Sequence, residues 1–369
     1  MDFRNIEAAK FLKQINRQLM PIVKSNRDLV NDFLDELRHS LRNDEAPQSF
    51  AIQIIHVGSS YEKLVVDTTA DFDILVSLRE EYVSENFYIE RDPSGYFLLE
   101  PREDVTDIRH LDYNNYLDSS KLRSSIFKKL IWHIKQVFVD DTTVTYQRGL
   151  AALNVKLYER SGQERRVSID FVPQIPVHTW GQCPDLLSLS EMPRCLRQYI
   201  DRTNRHKNPC MFFSLGIPKA DMFPNANLLF NASFSLLEKN FINEETDIQD
   251  MVLLVKYIAK RRNWEDDHHF KSFHAKRVAL KYYDELTGME PWDGCLRLLN
   301  KLEEEVASGA IDGYFVTDQP LRKWKRREAQ DFIREIKTVQ RMNIRDIKSC
   351  CYSNSAEKQL TSDPKYQPT

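Results

Sequence analysis

The sequence predicts a bilobal α+β protein: a long N-terminal helix leading into a mixed-sheet lobe, followed by a mostly helical lobe. Three patterns predict it. Apolar residues recur at helical spacing through residues 3–42. They then alternate with polar residues in strand-like runs between 50 and 172. Helical spacing returns after about residue 179. The expected divisions are 1–178 for the spine helix and sheet lobe, 179–352 for the helical lobe, and 353–369 for a disordered polar tail with two prolines. A cleft between the two lobes is the expected place for a site.

In the first helix, Phe11, Ile15, Leu19, Val30, Phe33 and Leu37 mark one apolar stripe. Pro21 is expected to kink or divide it, because proline lacks an amide N–H and its ring crowds the preceding turn. Strands are expected at 50–57 and 72–78, and a helix over 121–138. Strands follow at 144–148, 151–159 and 165–172, with Ser161-Gly162 turning the last pair. Helices are expected at 245–262, 270–286, 293–307 and 320–341.

Bulk properties narrow the function classes. Of 369 residues, 41% are hydrophobic and 29% charged, as in ordinary globular chains. A net charge of -3 gives no global attraction to polyanions, so a nucleic-acid surface requires uneven placement of the 52 Lys and Arg. The six Cys are scattered without a CxxC pair, which suits reduced thiols in a cytoplasmic or nuclear protein. No apolar run approaches the ~20 residues of a membrane span.

The chemistry-bearing feature is Val57-Gly58-Ser59-Ser60, followed by Asp71-Phe72-Asp73-Ile74. On a strand, positions i and i+2 share a face, so Asp71 and Asp73 point one way and Phe72 and Ile74 the other. Two same-face acids repel each other unless a cation lies between them. Asp170, alone among apolar neighbours in Val167-Ser168-Ile169-Asp170-Phe171, also needs a partner. If its strand lies beside the Asp71–Asp73 strand, three carboxylates could hold two divalent metal ions and align a hydroxyl with a leaving pyrophosphate. Backbone N–H groups at Gly58 and Ser59 would hold the triphosphate.

This pattern resembles the nucleotidyltransferase superfamily, which has a Gly-Ser turn, a spaced acid pair and a later third acid. The run GSSYEKLVV followed by DFDILVSL is similar to the cyclic GMP–AMP synthase (cGAS) branch and its male-abnormal-21 fold. Further matches are Ser233-Phe234-Ser235 with Glu238-Lys239, and Leu254-Val255-Lys256-Tyr257 followed by Phe270-Lys271-Ser272-Phe273-His274. The resemblance covers residues 10–345 and implies a bilobal nucleotidyltransferase fold. It also implies that Asp71, Asp73 and Asp170 are catalytic ligands of two Mg²⁺ or Mn²⁺ ions and that Gly58, Ser59, Lys256 and Ser272 contact phosphates. Phe273 would stack on a base. Residues 242–250 carry no Cys or His, so the zinc ribbon of the vertebrate enzyme is missing and no zinc is expected. In this respect the chain is closest to the zinc-free insect members, activated by double-stranded RNA. The resemblance thus implies ATP and GTP as substrates and a cyclic dinucleotide of the cyclic GMP–AMP type as an antiviral second messenger. It also implies assembly as a dimer on RNA.

The basic residues fit that activator. Lys10, Lys13, Arg17 and Lys24, the run Lys260-Arg261-Arg262, and the run Arg322, Lys323, Lys325, Arg326 and Arg327 are the candidate RNA contacts. Lys271, Lys276, Arg277 and Lys281 would extend the stripe. Contacts to phosphates and 2′-hydroxyls would read duplex shape rather than sequence. Two other readings fit the same fold. One is a catalytically silent male-abnormal-21-like scaffold. The other is a linear polymerase of the oligoadenylate synthetase type.

Overall fold

A computed structural model describes residues 2–44, 52–67, 71–78, 87–102, 112–113, 115–139, 141–158, 164–177, 180–205, 209–215, 225–316 and 320–349. The Ser161-Gly162 turn and the 353–369 tail lie outside these residues. Two compact units divide the chain. One holds Leu19–Glu244 and Phe315–Gln319; the other holds the described residues of Met1–Gln18, Glu245–Tyr314 and Pro320–Thr369. Helix α1 (Phe3–Arg42) contributes to both. Its period is as expected, but Pro21 does not divide it: the helix runs unbroken through that residue.

The first unit is built on a seven-stranded sheet. Strands β1 (Ile52–Val57) and β2 (Asp71–Leu78) come first, then the hairpins β3 (Phe87–Arg91) with β4 (Phe97–Pro101) and β5 (Asp112–Tyr113) with β6 (Tyr116–Leu117). Helix α2 (Ser119–Val137) begins at Asp118, whose carboxylate accepts from the N–H groups of Ser120 and Lys121. Strands β7 (Val144–Arg148), β8 (Leu153–Tyr158) and β9 (Arg165–Val177) follow. After α3 (Arg194–Arg205), β10 (Met211–Ser214) and β11 (Asn231–Ser233) extend the sheet, and α4 (Ser235–Glu244) closes the unit. Strand β9 is the hub. It pairs with β2 on one edge, and with β8 and then β10 on the other. Among the described strands only β2 and β9 pair in parallel, which requires the long crossover carrying α2.

One face of this sheet is a sealed core. Phe72 and Ile74 of β2 stand in register with Ile169 and Phe171 of β9, which face Val155 and Leu153 of β8, and all six are buried. Phe33 of α1 packs on this face, 6.4 Å from the Phe171 ring and stacked at 4.8 Å on Phe138. The other face is closed only in part. Val57, Leu75 and Phe212 pack there with Ile55, Val172 and Leu236 of α4. At the N-terminal end of β2 that cover stops, and Asp71 and Asp73 are exposed.

The second unit is helical: α5 (Thr246–Arg261), α6 (Trp264–His268), α7 (Ser272–Lys281), α8 (Tyr283–Leu286), α9 (Pro291–Ser308), α10 (Arg326–Gln340) and α11 (Ile344–Ser349). A short hairpin of β12 (Ala310–Asp312) and β13 (Pro320–Lys323) interrupts them. The helical pattern expected from 320 therefore begins as a strand. Trp264, Phe270 and Phe332 form the aromatic core. Near the chain start, Asn5 caps α9: its Oδ1 accepts from Trp292 N at 3.0 Å while its Nδ2 donates to Asp293 at 2.7 Å.

Candidate active site

Period-two alternation decides the arrangement of the acids. Phe72 and Ile74 are drawn into the core, which leaves Asp71 and Asp73 on the opposite face. The parallel register then sets Asp73 against Asp170 and Asp71 against Ser168. Adjacent strands lie about 4.8 Å apart, so Asp73 and Asp170 are cross-strand neighbours on one face. The predicted convergence of two sequence-distant acids is present at the level of the backbone. Asp170 is half-buried, and its Oδ1 accepts from Asn154 Nδ2 at 2.7 Å.

The Gly58-Ser59 turn sits at the top of β1, beside Asp73. Gly58 adopts φ +82°, a left-handed conformation that favours glycine. A Cβ at this position would overlap the Asp73 carboxylate oxygen and lie 3.0 Å from the Asp73 Cβ. Glycine is therefore required both by the backbone angle and by the approach of the acid. The Tyr61 and Glu62 amides donate to the Gly58 carbonyl at 3.0 and 3.1 Å, curling the chain into a tight turn.

Side chains given no role by the sequence reading hold this turn in place. Ser60 Oγ donates to the Asp71 carbonyl at 2.9 Å, tying the turn to the start of β2. Arg27 of α1 donates to the Ser60 carbonyl. Lys239 of α4 donates to the His56 carbonyl at 2.8 Å, and Asn243 donates to the Tyr61 carbonyl at 3.4 Å. Arg27 and Lys239 both lie over the Tyr61 ring, at 5.4 and 5.7 Å. Burial raises the Tyr61 hydroxyl to about 12. His56 is pushed down to about 4 by burial and by the Arg38 and Lys239 cations. Arg38 also donates to His56 Nε2, and a guanidinium can only donate, so that ring nitrogen carries no proton.

The donor set fits a hard divalent cation by chemistry, because all three acids offer oxygen. Among the described residues, however, no three His, Cys, Asp or Glu side chains are gathered closely enough to hold a metal ion. The backbone brings the acids to one face; their side chains are not drawn into one cluster.

The remaining predicted nucleotide contacts belong to the helical unit. Lys256 lies half-buried on α5 and Ser272 is the first residue of α7. Phe273 is 36% exposed, an unusual position for a large ring, and packs 4.2 Å from the His274 ring. His274 is fixed in turn by accepting from Lys271 N at 2.9 Å.

The basic runs divide into solvated and committed residues. Lys10, Lys13, Arg17 and Lys24 are exposed along α1, with Lys10 3.8 Å from Glu7. Lys260 is exposed, but Arg261 lies 5.1 Å over the Tyr257 ring and Arg262 pairs with Glu335 at 2.5 Å. Lys323, Lys325, Arg326 and Arg327 are exposed around Trp324, which is buried and donates to the His268 carbonyl at 3.0 Å. Arg322 lies on β13. Lys276 and Arg277 do not join a solvated stripe: both are buried on the inner side of α7.

Residues 60–244 match the Mab-21 protein nucleotidyltransferase domain. The chain belongs to the Mab-21 nucleotidyltransferase family. The matched span ends where the sheet-bearing unit ends, at Glu244, and contains Asp71, Asp73 and Asp170. The Mab-21 domain here thus carries all three predicted acids. No helix among the described residues is long and apolar enough to cross a membrane.

Proposed function

We propose that this Mab-21 protein is a metal-dependent nucleotidyltransferase that joins ATP and GTP into a cyclic dinucleotide of the cyclic GMP–AMP type when double-stranded RNA binds. The observation that carries the reading is the parallel register of Asp73 with Asp170, with Asp71 on the same face. A scaffold protein gains nothing from exposed Asp71 and Asp73 on the face that carries half-buried Asp170, whereas a phosphoryl-transfer site needs such acids. Asp71, Asp73 and Asp170 would hold Mg²⁺ or Mn²⁺. Bound there, two such ions would screen the charge that builds up on the α-phosphate and on the leaving pyrophosphate.

The chain's own groups supply the rest. Asp170 takes the proton of the attacking ribose hydroxyl as its oxygen bonds to the α-phosphorus and the bond to pyrophosphate breaks. The turn at Gly58 and Ser59 holds the triphosphate through backbone N–H groups. Lys256 and Ser272 contact phosphates, and the exposed ring of Phe273 stacks on a base. A second transfer closes the ring. Exposed Lys10, Lys13, Arg17 and Lys24, together with Lys260, Lys323, Lys325, Arg326 and Arg327, supply the duplex contacts. A cytoplasmic setting, where viral RNA appears, accompanies this reading.

The deciding experiment is incubation of the full chain with ATP, GTP and Mg²⁺ or Mn²⁺, adding duplex RNA, duplex DNA or nothing. The expected result is a phosphatase-resistant dinucleotide with RNA alone. Product with DNA, or without any nucleic acid, removes RNA as the trigger. A ladder of linear oligomers replaces the cyclase by a polymerase, and no product under any condition returns the chain to the scaffold reading.

A further inference from the structure

Asn154 stands on β8 directly opposite Asp170 on β9. Its Nδ2 donates to Asp170 Oδ1 at 2.7 Å and to Ser168 Oγ at 2.8 Å. The orientation of the amide is not arbitrary. An ionised carboxylate only accepts, so the nitrogen must face Asp170, and its two protons match the two acceptors. Ser168 is the register partner of Asp71, as Asp170 is of Asp73. One amide therefore grips both β9 residues that stand opposite the acid pair.

We propose that Asn154 is a positioning residue for the third acid: it occupies Oδ1 of Asp170 and leaves Oδ2 to the cation and the reacting hydroxyl. This rests on the transferase reading above. The choice of side chain follows from charge. A lysine or arginine at this position would neutralise the carboxylate and compete with the cation for it. An apolar residue would leave the carboxylate free to turn about its own bonds. A neutral amide fixes the geometry and preserves the negative charge. The strand pair does not depend on this bond, because the β8–β9 backbone ladder runs on both sides of it.

The test uses the full chain with Asn154→Leu, which keeps the branched heavy-atom outline but removes the amide's donor and acceptor, and Asn154→Ala as a second variant. Mn²⁺ binding in the presence of a non-hydrolysable ATP analogue is followed by electron paramagnetic resonance, alongside turnover and thermal melting. Both variants are expected to bind Mn²⁺ about 10–100-fold more weakly and to lose kcat by a similar factor. KM for ATP and GTP should stay within about twofold and the melting temperature close to that of the wild type. Wild-type Mn²⁺ affinity in either folded variant overturns the inference, as does a loss of affinity that follows a loss of folded protein. If the wild type itself binds no Mn²⁺ and forms no product, the transferase reading falls and this one with it. If the wild type does both and the variants match it, only the role of Asn154 falls.

Discussion

At its N-terminal end strand β2 has two faces that differ in almost every respect although they alternate residue by residue. Phe72 and Ile74 are 2% and 0% exposed and pack into a core shared with β8, β9 and α1. Asp71 and Asp73, one residue away on either side, face outward and are exposed. The first face supplies apolar burial; the second carries like charge at Asp71 and Asp73 and joins a core only from Leu75 onward. Stability and chemistry are thus separated by the pleat of one strand. A change on either face should be readable in one kind of measurement and nearly silent in the other.

The most severe break in that comparison is Asp71→Asn with Asp73→Asn. Product formation should fall about a thousandfold or more, the equivalent of several kcal/mol of transition-state stabilisation. Melting temperature should hold or rise as repulsion is relieved; a marked drop in melting temperature would show that the acids are structural. The opposite substitution is Ile74→Ala, expected to cost about 2–5 kcal/mol in denaturant unfolding because a cavity opens in a sealed face. A cost well under 1 kcal/mol would mean that this face is not packed as described.

Gly58→Ala tests where the two faces meet the turn. It strains a left-handed backbone, a cost of about 1 kcal/mol, and drives a methyl group into Asp73. Turnover should fall by about a hundredfold through misplacement of that carboxylate. Unchanged turnover would detach the turn from the site. The smallest effect concerns His56. Its folded value of about 4 lies below the ordinary 6.5, so between these limits the unfolded chain binds more protons and stability is lost as pH falls. His56→Gln should shrink the loss of melting temperature across that window by about 3 °C, discounted for the ring's partial exposure. An identical pH profile in the variant would remove His56 as the source.

Much of this was legible before the structure. Period-two alternation placed Asp71 and Asp73 on one face, and an acid among apolar neighbours marked Asp170. The long first helix followed from its 3.6-residue period. What escaped the sequence was pairwise and long-range. Met211, Phe212 and Phe213 are buried consecutively, so β10 has no alternation to betray it within a region read as helical. The basic run at 322–327 conceals a strand-to-helix change, because charge pattern carries no backbone period of its own. Lys276 and Arg277 looked like solvated cations, since sequence cannot distinguish a lysine stem laid along a core from one extended into water. Asn154 is an ordinary polar residue of an alternating strand until the register sets it against Asp170.

The parallel pairing of β2 with β9 also orders events in time. A ribosome completes Asp71 and Asp73, then the whole crossover with α2, before Asp170 emerges. Through that interval β2 has only its antiparallel neighbour β1, and the acid pair stands without its third member. A nascent chain halted in the crossover, or a fragment clipped from it, has the Gly58 turn residues and both early acids yet lacks the strand that completes the face and the α4 residues Lys239 and Asn243 that hold the turn. The three-acid face is therefore a late product of synthesis, present only once the sheet has closed around β9.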